Sequence, residues 1–234
     1  MFPSLSIVVA AYNEHEAILP FVKRTLDFLK VHVTDGQLIL VNDGSSDGTG
    51  QVIDQLAKEH SNILSIHLEK NSGMGAALLK GFEVASKHWV TILPADGQID
   101  PYELPHLFEL TKEADLVTTL YKNRKYRFGR KLVSNGLRIL TVLIVGTRAR
   151  TEGTYLVRRE VLQKLRPCSH SFLLNLEIPI RAKRGGFRVK TAFINVSERI
   201  AGRSKAVTIR RVLHTFRDLF ALRTKLEMER LGLG

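Results

Sequence analysis

What most constrains this chain is a repeated pairing, a short unbroken apolar run followed by a longer stretch of helical spacing. Leu5–Ala10 (LSIVVA), Leu38–Val41, Ile63–Leu68, Trp89–Leu93 and Leu116–Leu120 are the runs. Such runs suit strands covered on both faces. Between them, Ala17–Val31 puts Phe21, Val22, Leu26 and Leu29 on one side and Lys23, Asp27 and Lys30 on the other. Asp47–His60 is expected to be a helix capped by Ser46 or Asp47. Ser72 is expected to cap a helix running to about Ser86, and Asp100-Pro101 joins a cap to a first-turn proline. Strands alternating with helices at this spacing predict an α/β chain with a largely parallel sheet and helices on both faces.

The second half is less regular. Phe128–Val145 has helical character with an apolar end, and Gly153–Val157 reads as a strand. Leu173–Arg184 is expected to be a helix that accommodates Pro179 and stops at Gly185-Gly186. Arg188–Val196 alternates as a strand does, and Val207–Leu231 reads as a long basic helix. The single cysteine, Cys168, excludes an internal disulfide framework and a Cys-based zinc site. The longest apolar run, Ile139–Gly146, is far short of the roughly 20 residues a membrane-spanning helix needs. The opening residues lack a basic leader. A cytoplasmic chain, free or peripheral on a membrane, is the expectation.

Charge divides the chain near Leu120. Residues 1–120 carry 8 Lys/Arg against 16 Asp/Glu, and residues 121–234 carry 27 against 7, a swing from −8 to +20. Nucleic acid, an anionic membrane surface, an acidic substrate and a merely solvated basic face all fit that swing. The arginines are not interleaved with aromatic side chains in a stacking pattern, which argues against nucleic acid.

The polar clusters fall where the runs end. Ala11-Tyr12-Asn13-Glu14 follows the first, and Asn42-Asp43-Gly44-Ser45-Ser46-Asp47-Gly48-Thr49 the second. Lys70-Asn71-Ser72-Gly73-Met74-Gly75 follows the third, and Pro94-Ala95-Asp96-Gly97-Gln98 the fourth. Ordinary turn chemistry accounts for any one of them. Four in order, three with acids, point to one ligand site outside the carboxyl ends of a parallel sheet. Gly73-Met74-Gly75 is not a dinucleotide loop, because it follows the third strand and lacks the full glycine spacing.

These clusters resemble the family 2 glycosyltransferases, whose fold is called GT-A. The match runs from the AYNE and DGSSDGT segments through Asn71–Gly75 to a DxD-type motif at residues 94–96. Later stretches, Gly153–Val161, Arg181–Gly186 and Arg199–Lys205, are similar to the branch that glycosylates polyprenyl phosphates. The resemblance implies an inverting transfer of one sugar from a UDP- or GDP-sugar to a polyprenyl phosphate at a membrane surface. It implies donor binding by Ala10, Tyr12, Glu14, Asp43, Asn71, Gly75, Ala95 and Asp96, with Asp96 catalytic. It implies a Mg²⁺ or Mn²⁺ ion on Asp96 and Gln98. Arg124, Arg130, Ser134, Arg199 and Arg203 would hold the acceptor phosphate. The corresponding division is a transferase domain over 1–205, with donor half 1–120 and acceptor half 121–205, followed by a basic amphipathic helix over 206–234.

The chain departs from the pattern at three positions. Pro94 stands where the family has the first acid of DxD, Ala10 where it usually has proline, and Tyr121 where this branch usually has arginine. Pro94 leaves open an inactive nucleotide-binding homologue. A soluble saccharide acceptor is also open; that chemistry needs a carboxylate base, for which Glu177 is the candidate. The C-terminal helix, with Leu219, Phe220 and Leu226 among Arg217, Arg223 and Lys225, fits a lipid interface, a dimer contact or core packing.

Overall fold

Seven strands form one sheet in the order β3-β2-β1-β4-β6-β5-β7. They are β1 (Phe2–Ala11), β2 (Val33–Asn42), β3 (Ile63–His67), β4 (Trp89–Ile92), β5 (Leu116–Tyr121), β6 (Tyr155–Arg158) and β7 (Val189–Ile194). The computed structural model describes residues 1–122, 142–147, 151–200 and 209–231, with the side chains of the last helix from residue 217 onward. β6 runs antiparallel between β4 and β5, and every other pairing is parallel. β1 and β2 pair along nearly their whole length, from Phe2 opposite Val33 to Ala11 opposite Asn42.

The strand period of two sorts the apolar side chains into two layers. Leu5, Ile7 and Val9 of β1 and Leu38 and Leu40 of β2 enter one layer. It is closed by α1 (His15–His32), α2 (Thr49–Glu59) and the turns around α4 (Pro105–Phe108). Val8, Ile39 and Val41 enter the opposite layer, closed by α3 (Met74–Val84), α5 (Arg159–Leu165) and α6 (Leu174–Arg184). Each fully buried side chain of this size contributes about 1.5–3 kcal/mol, so these layers dominate the stability of the sheet.

A third, smaller cluster joins Ile144 and Val145, Leu173 and Ile180, and Leu219, Leu222 and Leu226 of α7 (Ile209–Arg230). The last three are spaced i, i+3 and i+7, one stripe of a helix. The described part of α7 is therefore a core-packing helix on α6, while Phe220 beside the stripe stays 57% exposed.

Two helix starts differ from the sequence expectation. α2 begins at Thr49 with Gly48 as its cap, and α3 at Met74 with Gly73 as its cap, neither with a side-chain cap of its own. Ser72 does not cap α3; its hydroxyl bonds to the Lys70 carbonyl. The Asp100 cap is present, accepting from the Tyr102 N–H at 3.1 Å at the head of a short 3₁₀ turn.

Candidate functional site

The strand order reverses at β1. β2 and β3 lie on one side of it and β4 on the other, which opens a crevice outside the carboxyl ends of β1 and β4. The polar loops gather on that rim. Asp43 and Asp96 leave strands two spacings apart, about 10 Å.

Hydrogen bonds stitch the first three loops together. The Asn13 N–H donates to the Ser45 hydroxyl (3.0 Å), and the Ser46 N–H to the Asn13 side-chain carbonyl (2.9 Å). The Glu14 N–H donates to Thr49 Oγ1 (3.0 Å), and the His15 N–H to Asp47 Oδ2 (3.1 Å). Asn13 itself holds a left-handed backbone, φ 52°. Burial pushes the Asp47 carboxyl up, but the bonds from Thr49 and the His15 N–H outweigh it and hold that carboxyl below the usual range. Tyr12 and Glu14 sit half-buried on this loop.

Asp43 is 3% exposed, and its carboxylate takes the N–H groups of Ser72 (2.7 Å) and Gly73 (3.0 Å). It thus ties the loop just ahead of α3 to the end of β2. Burial pushes its carboxyl up, against the pull of those two donors. A carboxylate has about four acceptor sites, so two remain for a ligand. Asn71 is exposed on the same loop. Gly75 is buried for a clear reason: a Cβ there would lie 2.5 Å from backbone atoms of Ser169, His170 and Ser171. The Ala76 N–H bonds to the His170 carbonyl at 3.1 Å, so the 168–171 segment lies on the head of α3.

The fourth loop carries Asp96. Its Oδ1 accepts the Gln98 N–H (3.0 Å), and its Oδ2 lies 3.2 Å from the Arg199 guanidinium. Ala95 is buried beneath it, and Gln98 is half-buried. Ala10, one residue before the end of β1, pairs with Val41. The structure therefore brings Ala10, Tyr12, Glu14, Asp43, Asn71, Gly75, Ala95, Asp96 and Gln98 to one rim, and adds Arg199 on Asp96. Arg124, Arg130, Ser134 and Arg203 lie outside the described residues. Tyr121 ends β5 with its N–H on Glu152 Oε2 at 3.1 Å.

Glu177 is not on the rim. It is fully buried in α6 and accepts from the N–H groups of Cys168 (3.1 Å) and Ser169 (2.8 Å) and from Arg181 Nε (2.6 Å). Arg181 also holds Glu229 of α7 at 2.6 Å. Burial pushes the Glu177 carboxyl up, but Ser169 and Arg181 overcome this and hold it below the usual range. A carboxylate so occupied is an anchor, not a base. Burial and the neighbouring Glu177 charge push the Cys168 thiol up, which makes it a poor nucleophile. Sequence reasoning missed both this network and the Arg199–Asp96 pair.

Residues 6–177 match the family model for glycosyl transferase family 2. The chain belongs to that family. It is 29% identical over 236 residues to the undecaprenyl-phosphate 4-deoxy-4-formamido-L-arabinose transferase of Yersinia pestis (strain Pestoides F), covering 98% of this chain and 70% of that protein. The enzyme of the same name from Yersinia pseudotuberculosis serotype O:3 (strain YPIII) matches equally well. Among solved structures, glucosyl-3-phosphoglycerate synthase from Mycobacterium tuberculosis with Mn²⁺, UDP-glucose and phosphoglyceric acid superimposes with a TM-score of 0.70 at 21% identity, covering 94% of this chain and 80% of that one. S. aureus TarS 1–349 superimposes at 0.57 with 18% identity, covering 83% and 60%. These likenesses establish the GT-A fold for this family 2 glycosyltransferase.

Proposed function

We propose that this chain moves one sugar, with inversion, from a UDP- or GDP-sugar to a polyprenyl phosphate at the cytoplasmic face of a membrane. The observation that carries the reading is the rim itself, four loops at the switch point with Asp96 as the carboxylate of the DxD-type motif. The curated relative is named as an undecaprenyl-phosphate sugar transferase and aligns over nearly the whole chain, which supports the same acceptor class here. Contact with the membrane through a surface of the acceptor half is part of the proposal; among the described residues no helix is long and apolar enough to cross one. So is the division into donor half 1–120, acceptor half 121–205 and C-terminal helix 206–234.

The residues on the rim fit a divalent ion only as partial ligands. Among the described residues no group of three His, Cys, Asp or Glu could hold one alone. Mg²⁺ commonly sits on one or two carboxylates with substrate phosphates and waters, so Asp96 with Gln98 and a diphosphate suffices. Mg²⁺ or Mn²⁺ held there would neutralise charge on the departing nucleoside diphosphate. Asp43 keeps the 70–73 loop closed where the donor would lie.

The acceptor phosphate oxygen forms the new bond to the anomeric carbon, and the bond to the diphosphate breaks, its electron pair leaving with the nucleotide. That oxygen is ionised at neutral pH, so no protein base is needed; positioning and charge neutralisation are. The occupied state of Glu177 supports this acceptor over a saccharide hydroxyl. A panel of nucleotide sugars is incubated with polyprenyl phosphate and Mg²⁺ or Mn²⁺. Labelled sugar in the organic phase is expected with one donor; its absence with every donor would overturn the reading.

A further inference from the structure

Asp96 already has a cation. Its side chain is 9% exposed, that of Arg199 27%, and the two lie 3.2 Å apart. Two backbone bonds flank the pair: the Ile200 N–H donates to the Asp96 carbonyl (3.0 Å), and the Ser197 N–H to the Gln98 carbonyl (2.8 Å). Gly97 makes room for the docked segment, since a Cβ there would meet Ile200 Cδ1 at 2.3 Å. The pair is thus set by how residues 197–200 dock on the 96–98 loop. An open cleft of about 190 Å³ borders this segment, lined by Phe21, Arg24, Ile99, Ser197 and Ile200 among others.

We propose that Arg199 is the built-in counter-cation of Asp96, that a divalent ion has to displace it, and that the displaced guanidinium then turns to the acceptor phosphate. The second half rests on the acceptor reading above; the first does not. A guanidinium and a divalent ion repel each other at this distance, so both cannot hold Asp96 Oδ2 at full strength. With Pro94 in the motif, residue 94 offers no second carboxylate to keep the ion while Arg199 stays. Donor and ion would then load before the acceptor, because loading is what frees Arg199.

Mn²⁺ binding is titrated by electron paramagnetic resonance, without nucleotide and with UDP or GDP, on the wild type, Arg199→Gln and Asp96→Asn. Acceptor and donor KM are measured on the first two. Arg199→Gln is expected to bind Mn²⁺ roughly two- to fivefold tighter than the wild type, the size of a partly exposed ion pair. Asp96→Asn is expected to bind it more weakly than either. Arg199→Gln should raise the acceptor KM and leave the donor KM nearly unchanged. If Mn²⁺ affinity is unchanged or weaker in Arg199→Gln while Asp96→Asn loses it, Arg199 is no competitor, the proposal is overturned and the metal assignment stands. If Asp96→Asn binds Mn²⁺ as the wild type does, the metal assignment falls and the proposal with it. A tighter Mn²⁺ site with an unchanged acceptor KM would overturn the second half alone.

Discussion

The donor rim and the α6–α7 side use their charges in different ways. On the rim, Asp43 and Asp47 accept backbone N–H groups from neighbouring loops, so acids that read as ligands also hold the loops in place. On the α6–α7 side buried side-chain ion pairs are added to backbone donors such as the Cys168 and Ser169 N–H groups on Glu177. Arg181 joins Glu177 to Glu229, and Arg184 lies 3.7 Å from Glu227. Among the described residues, part of the basic half is therefore paired within the fold. That charge pins α7 to α6, and Arg199 pairs with Asp96 on the rim. The rim is pre-organised by backbone, while the other side is assembled by ion pairs whose loss is costly where they are buried.

The largest expected effect lies in the buried network. Glu177→Ala leaves Arg181 Nε and two N–H groups without their acceptor and should cost about 3–5 kcal/mol, read by urea unfolding. For a chain of this size that is a drop in Tm on the order of 10 °C. The pH dependence has a defined sign. A carboxyl held below its unfolded pKa stabilises fully above the ordinary carboxylate range and loses that contribution as pH falls through the folded value. Glu177→Gln should therefore lose less stability than the wild type between about pH 5 and pH 3. A catalytic base would instead show as lost turnover with stability intact.

Next is Asp96→Ala, which should lower transfer on the order of 100-fold or more and, by leaving the Gln98 N–H and Arg199 without their acceptor, cost about 1–2 kcal/mol of stability. Full metal-stimulated activity in that variant would contradict the assignment. Asp43→Asn should do some of both. An amide cannot accept both the Ser72 and Gly73 N–H groups, so it should cost about 1–3 kcal/mol and raise the donor KM. The smallest effect is on the outer surface. Arg188 is 60% exposed where it meets Asp115, and Arg188→Ala should leave both midpoint and turnover unchanged within error.

The five apolar runs were legible because the centres of β1, β2, β4 and β5 are covered on both faces and even edge strand β3 keeps an apolar run, and β1–β5 all include the segments or most of the segments expected. The direction of β6 was not, because its place between β4 and β5 is a tertiary choice. Arg159–Leu165 left no signal: it is short, and no side chain caps it. The misplaced starts of α2 and α3 share one cause. Ser72 and Asp47 have the right chemistry for caps, but Gly48 and Gly73 occupy those positions, and Asp43 binds the α3 head from 29 and 30 residues away. The four rim loops were readable because polar residues at strand ends are a local pattern. The Arg199–Asp96 pair and the Glu177 network were not, since each joins residues that only the folded sheet brings together.

The central claim is that the acceptor brings its own ionised oxygen, so that transfer needs no protein base and the occupied Glu177 is not called on as one. The most direct measurement compares two acceptors of one chain length, a polyprenyl phosphate and the free polyprenol, in detergent with the same labelled nucleotide sugar and divalent ion. Product is expected from the phosphate and none above background from the alcohol. Comparable turnover on the free alcohol would contradict the account.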